Sequence, residues 1–327
     1  MNTQAPDFAL QENISRNVVF IDGITRCGKS LFSNVIPTLA KTEQIQFIAL
    51  LEHIVPGLSM GVIDADYAKS SIRSLMNELA YNMLLSRNVN FRPNDQTGVL
   101  NHPDGKEYFS RLSKEDGDGV VSELRNHERF FPFMTHDMMV NLEYMELLEI
   151  DYKMIHIYRH PVDNIYSWYT RGWGDRYQND PRSFTLSIRY NNQILPWYCA
   201  GYEEEWIQLN PMERCVKTAL DLLERSVIQH RNAKNPQRIH TVLFENLIQD
   251  TSTEMNKISE FLGLEQTPWT AHFLQKARCP RVINPSDQLM KLAEFKAGIS
   301  KELYHKLSEA SEKYENGIYG LKDAGLL

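Results

Sequence analysis

A glycine-rich turn between an apolar strand and a helix constrains this chain more than any other feature. The stretch FIDGITRCGKSLFSNVI, Phe20 to Ile36, fits the phosphate-loop spacing G-x-x-x-x-G-K-[ST] from Gly23 through Gly28, Lys29 and Ser30. Such a turn aims several backbone N–H groups at one point, and the helix that follows adds partial positive charge, so an anion settles there. Gly23 and Gly28 permit the tight path, Arg26 and Lys29 bring full charges, and Ser30 brings a hydroxyl. Apolar VVFI before the loop and helical LFSNVI after it are the required flanks. The spacing alone admits ATP, GTP or another 5′-phosphorylated nucleotide.

Three segments read as buried strands, each leading through a turn into a helix: NVVFID (Asn17–Asp22), KMIHIY (Lys153–Tyr158) and IHTVLFE (Ile239–Glu245). Strand–helix alternation predicts an α/β fold with a central parallel sheet covered on both faces, a three-layer α/β/α arrangement. The helix after the third strand carries Met255, Ile258, Phe261 and Leu262 on one face, with Gly263 as its C-cap. SSIRSLMNELAYNMLLSRN and RCVKTALDLLERSVIQHRN are two further amphipathic helices. Over 87–132 the periodicity fails, and Pro, Gly, Asn and Asp accumulate. That segment is expected to be an irregular insert serving as a lid or substrate loop. The aromatic stretch WYCAGYEEEWIQLNP is a candidate pocket wall, and Glu203–Glu205 within it a solvated acidic run.

At 327 residues the chain has ample material for a core, with 42% hydrophobic and 24% charged residues. A net charge of −7 argues against nucleic acid or a strongly anionic polymer as the main partner. The four cysteines lack metal or redox spacing and read as free thiols of a reducing compartment. IQFIALLEHIVPGL is too short and polar to span a bilayer, and the first residues lack the pattern of a signal peptide. A cytoplasmic protein without a membrane span is the expectation.

The segment MIHIYRHPVDNIYSWYTRGW holds a second anion-binding element. Arg159 falls where the strand ends, Pro161 opens a helix, and Ser167 lies two turns along it. An Arg there and a Ser on the helix can converge on one phosphate, as cation and hydroxyl donor. ATP- and GTP-using enzymes also need an Asp at the end of another strand to hold Mg²⁺. Here Asp22 sits on the loop's own strand, Asp137 follows the short, proline-broken FPFM, and IHTVLF ends in Glu245.

Both elements, in this order, resemble the P-loop sulfotransferases that use 3′-phosphoadenosine-5′-phosphosulfate (PAPS). TVLFENLIQD…EMNKISEFLGL and the C-terminal AEFKAGISKELYHKLSEASEKYENGIYGL are similar to that family's later elements, the latter to its final helix. The resemblance implies one sulfotransferase-like domain over 1–327. It implies that Arg26 contacts the transferring sulfuryl group, that Cys27, Gly28, Lys29, Ser30 and Leu31 surround the 5′-phosphate, and that Arg159 and Ser167 grip the 3′-phosphate. Phe244 stands at an aromatic position near the adenine. Arg26 and Lys29 would neutralise the transition state, with no metal expected, since a sulfuryl group carries less charge than a γ-phosphoryl.

Thr135-His136 resembles the family's T-H segment, whose His is the general base, a role suited to neutral imidazole. Glu123 and Glu128 are alternative bases. The acceptor is a small molecule or glycan bearing a hydroxyl or amine, and a homodimer is compatible with the sequence. Two other functions stay open: an Mg²⁺-dependent small-molecule kinase on the same scaffold, and a nucleotide-binding protein without turnover.

Overall fold

The computed structural model describes residues 8–126, 129–175 and 184–326. Five parallel strands form the central sheet: β1 (Val18–Asp22), β2 (Gln46–Phe47), β3 (Phe131–Met134), β4 (Tyr152–Tyr158) and, at one edge, the strand Ile239–Leu243, called β7 because a small hairpin of β5 (Ser187–Tyr190) and β6 (Gln193–Pro196) precedes it. Their order is β2-β3-β1-β4-β7. Around it lie α1 (Lys29–Val35), α2 (Leu51–Ser59), α3 (Ala65–Leu84), α4 (Gly105–Ser110), α5 (Asp118–Arg125), α6 (Leu142–Leu147) and α7 (Pro161–Tyr169). The second half adds α8 (Glu203–Gln208), α9 (Pro211–Arg231), α10 (Phe244–Gln249), α11 (Thr251–Leu262), α12 (Pro268–Lys276), α13 (Pro285–Gly298) and α14 (Lys301–Glu315).

The sheet is buried on both faces, as near-continuous apolar strands require. Along β1 the period-2 pleat sends Val18 and Phe20 into a core with α2, α3 and α6, and Val19 and Ile21 into another with α1, α10 and α11. A third apolar cluster joins α7, α9, α13 and α14 through Trp168, Val216, Phe295 and Leu307. Local signals set the helix ends. Asn210 and Glu213 form a capping box at α9, and Gly263 closes α11 in the left-handed region at φ 73.

β3 departs from the sequence expectation, because Pro132 makes a central strand improbable on local grounds. It is tolerated for a geometric reason. Phe131 and Thr135 donate to Asn17 O and Ile21 O, so the odd-numbered residues face β1. The missing donor of Pro132 therefore faces β2, whose two residues pair only with Phe133 and Met134.

The segment 87–132 is also more ordered than its composition suggests, since it contains α4 and α5 and runs into β3. An ion-pair cluster anchors it. Glu43, fully buried, accepts from Arg111 Nη1 and Nη2 at 2.8 and 2.9 Å, from Arg129 Nη1 at 2.9 Å and from Tyr108 OH at 2.7 Å. The stretch read as one final helix is two, α13 and α14, separated at Ile299–Ser300, where Ser300 caps the second. All four cysteines are free and buried. Among the described residues no helix is long and apolar enough to cross a membrane.

Candidate active site

β1 delivers the chain into the glycine-rich turn at the C-terminal edge of the sheet, and α1 starts at Lys29. Gly23 and Gly28 lie at φ 148 and 112. A Cβ on Gly23 would sit 2.6 Å from Ile157 O, and one on Gly28 2.3 Å from the Phe244 ring, so only glycine fits either place. The loop is clamped at Thr25. Its N–H donates to Asp137 Oδ1 at 3.2 Å, and its carbonyl accepts from Asn164 Nδ2 at 3.1 Å and Trp168 Nε1 at 2.5 Å. Asn164 and Trp168 are one turn apart on α7, so a single helix face holds the loop. Trp168 both packs into the core and fixes the loop.

The predicted loop residues differ in what they offer. Arg26, at φ 70, reaches α7 and donates from Nε to Ser167 Oγ at 3.1 Å. Arg159 Nη1 donates to Arg26 O at 2.9 Å, while its Nε is buried without a partner among the described residues. Neither arginine is paired with a carboxylate among those residues. Burial, then the charges of Arg171 and Arg159, lower the Arg26 pKa. Like charges held this close make a corner that an anion would relieve. The strand-end arginine and the helix serine are thus both tied to Arg26 of the loop, one through its carbonyl and one through its side chain.

Lys29 is turned inward, its Nζ donating to Gly23 O at 2.5 Å and Ile24 O at 3.1 Å. Cys27 is buried below the loop, and burial pushes its thiol pKa up. Leu31 donates to Gly28 O and packs partly into the core, and Ser30 is exposed. The Ser30 carbonyl accepts from Gln96 Nε2 at 2.8 Å, and Gln96 also bonds to Ser33 Oγ, so the 87–132 segment touches the start of α1.

Phe244 opens α10 against Gly28, with the Arg159 guanidinium 4.9 Å and that of Arg281 6.0 Å from its ring centroid. These groups line a polar cavity of about 320 Å³ with His160, Gln288 and Lys291. Arg281 and Lys291 went unremarked in the sequence; the cluster of basic residues after position 275 was the available signal. Glu245, weighed as a metal-holding residue, is committed elsewhere. It accepts from His160 N at 2.9 Å and Tyr314 OH at 2.6 Å.

Asp22, the last residue of β1, ties down the segment that leaves β3. It accepts from Thr135 Oγ1, Met138 N, Met139 N and His156 Nδ1 at 3.0 to 3.1 Å. Burial alone would raise its pKa, but the hydrogen bond and charge of His156 and the charge of Lys29 hold it well below the usual range. So anchored, His136 stands beside the loop. Its backbone N–H and Nδ1 both meet Glu52 Oε1, at 2.8 and 3.0 Å. Phe47 stacks on the imidazole, centroids 6.1 Å apart and planes within 4°. Asp137 is buried at φ 60, and burial pushes its carboxyl pKa up to about 6.

His136, Thr25 and Asp137 share the wall of a second cavity, about 390 Å³, whose lining includes the aromatic rings of Phe47, Trp173, Phe184, Trp197 and Tyr198. This volume is ample for a small organic ligand. Of the alternative bases, Glu123 is ion-paired to Lys114 at 2.5 Å on the surface of α5, and Glu128 lies outside the described residues.

Residues 16–278 match a family described as the sulfotransferase domain. No curated protein matches the chain significantly. Among solved structures it is similar to a sulfotransferase from Alicyclobacillus acidocaldarius, 16% identical over 91% of this chain and 96% of that one, with a TM-score of 0.40. It is also similar to the sulfotransferase domain of the curacin biosynthetic pathway, 13% identical over 90% and 98%, TM-score 0.45. A third is mouse sulfotransferase SULT7A1 complexed with PAP, 13% identical over 97% and 90%, TM-score 0.41.

Proposed function

The chain belongs to the sulfotransferase-domain family, which it matches over residues 16–278, and we propose that it moves a sulfuryl group from PAPS to the hydroxyl of a compact acceptor. The observation that carries this reading is the corner where Arg26 touches both Arg159 and Ser167, with Arg159 Nε buried and without a partner among the described residues. A second phosphate on the nucleotide gives those groups a partner, which a nucleotide phosphorylated only at the 5′ position does not.

When bound, PAPS would supply the activated sulfuryl group, and the residues of the chain do the rest. Arg159 and Ser167 would hold the 3′-phosphate, with Phe244 beside the adenine. The backbone N–H groups of Gly28, Lys29 and Ser30, between the Cys27 and Leu31 N–H groups that bond within the loop, and Arg26, would meet the 5′-phosphate and the transferring group. Lys29 lies behind the loop and supplies positive charge from within. His136 takes the acceptor's proton on Nε2 as the acceptor oxygen bonds to sulfur and the bond from sulfur to the 5′-phosphate oxygen breaks. The aromatic rings of the adjoining cavity favour a phenol or apolar alcohol over a glycan, whose many hydroxyls would need more polar partners than the lining offers. The 87–132 segment serves this single domain as a cover, through the contact of Gln96 with the start of α1.

One observation favours the Mg²⁺-dependent kinase reading: β3 pairs with β1, so Asp137 follows a true neighbouring strand. Against it, the Asp137 carboxyl binds Thr25 N and is buried, with its pKa raised to about 6, where a metal ligand needs a ready anion. Calorimetric titration with 3′-phosphoadenosine-5′-phosphate (PAP), 5′-AMP and ATP with Mg²⁺ separates the readings. Arg159→Ala is expected to weaken PAP binding about 10- to 100-fold, the value of a charged hydrogen-bonded contact, and to leave 5′-AMP binding nearly unchanged. Equal losses for both ligands, or tightest binding of ATP with Mg²⁺, would contradict the proposal. PAPS turnover is also expected to survive EDTA.

A further inference from the structure

The imidazole of His136 is held on two sides by one short piece of chain. Phe47, in the edge strand β2, covers its face, and Glu52, in the first turn of α2, grips its edge. Glu52 Oε1 takes both the backbone N–H and Nδ1 of His136. A carboxylate oxygen already accepting a backbone N–H can only accept again, so Nδ1 carries the proton and the lone pair of the neutral ring lies on Nε2. Nε2 has no partner among the described residues, and the ring lines the aromatic cavity.

We infer that Glu52 is a positioning residue for sulfuryl transfer. It fixes His136 in the Nδ1–H tautomer with Nε2 toward the acceptor, and its negative charge stabilises the imidazolium formed when Nε2 takes the acceptor's proton. The inference rests on the proposed role of His136 as base. The other charged or titratable groups around it are His53 on α2, whose Nε2 is bonded to Phe184 O at 2.8 Å, and Asp137 in its own segment, behind which lie Lys29 and Asp22. None of them touches Nδ1, so Glu52 alone sets the tautomer.

Glu52→Gln keeps the side chain's size and removes its charge; Glu52→Asp keeps the charge and shortens the reach. With PAPS as donor and 4-nitrophenol as acceptor, Glu52→Gln is expected to lower kcat about 10- to 100-fold while leaving KM and calorimetric PAP affinity within about twofold. Glu52→Asp restores part of kcat. Histidine ¹⁵N spectra of the full chain, with the His136 signal assigned by its loss in His136→Ala, give a readout that needs no acceptor. They are expected to show the Nδ1–H tautomer in the wild type and in Glu52→Gln, whose amide oxygen can still accept from Nδ1, and a mixture in Glu52→Ala. If His136→Ala keeps wild-type turnover, the base assignment falls. If His136→Ala loses turnover while Glu52→Gln keeps the wild-type rate, or Glu52→Ala keeps the wild-type tautomer, the base stands and the role given to Glu52 is overturned.

Discussion

Asp137 sets a measurable penalty on this fold. Its carboxyl is buried beside the phosphate loop, and burial raises its pKa from 3.8 to about 6; the charges of Lys29 and His136 pull it down and those of Asp22 and Glu52 push it up. A group that holds its proton more tightly when folded weakens the fold as pH rises. Below about pH 4 both states are protonated and nothing is lost. Between about 4 and 6 the unfolded chain ionises first, and above about 7 the penalty is full. A gap of about two pH units corresponds to roughly 3 kcal/mol. Asp137→Asn removes the charge and keeps an oxygen for Thr25 N–H, but adds an amide N–H that needs a partner, a loss of about 1–2 kcal/mol. The variant is therefore expected to be about 1–2 kcal/mol more stable than the wild type at pH 8, with the advantage shrinking through pH 6 to 4. Thermal melts of both proteins from pH 4.5 to 8 test this. A difference that stays flat across that range, or an Asn variant less stable at pH 8 than at pH 5 relative to the wild type, would refute the reasoning.

Two further substitutions probe the frame around the site. Gly28→Ala puts a methyl 2.3 Å from the Phe244 ring at φ 112, so it is expected to disturb the loop and cut PAP affinity at least tenfold in calorimetry, while a change under twofold would show that the loop yields easily. Arg111→Met leaves the fully buried Glu43 with Arg129 as its remaining cation among the described residues, and a loss of about 3 kcal/mol is expected in denaturant unfolding; a loss below about 1 kcal/mol would mean that Arg129 suffices.

How far the sequence reaches depends on the range of each interaction. The phosphate loop and the Arg159–Ser167 element were legible because each is written in consecutive residues whose spacing is set by one turn or one helix. β1 and β4 were legible because strands buried on both faces are largely apolar, and the partly buried edge strand β7 because it leads through a turn into a helix. β3 was not, since local rules exclude proline from a central strand, and only the two-residue length of β2 relieves Pro132 of a partner. Glu52 could not be read at all, because it meets His136 across 84 residues of chain. The clamp of Trp168 on Thr25 spans 143 residues, and Gln96 meets Ser30 across 66. Such contacts follow from the assembled sheet and leave no periodic trace. The helices inside 87–132 and the break in the final helix went unseen for other reasons. Turn-rich composition hid α4 and α5, and the last stretch was taken as one helix from its resemblance to the family.

The polar cavity beside Arg159 has a back wall that the recognisable part of the chain does not supply. His160, next to Arg159, meets Gln288 Nε2 at 2.8 Å and Glu315 Oε1 at 3.2 Å, and Glu245 is held by Tyr314. Gln288 belongs to α13, and Tyr314 and Glu315 to α14, all beyond residue 278, where the family match ends. A fragment trimmed to the matched boundary would retain the glycine-rich loop, the Arg159–Ser167 element and His136 yet open the Arg159 corner to water, so the tail helices act as a cork for the cavity beside Arg159.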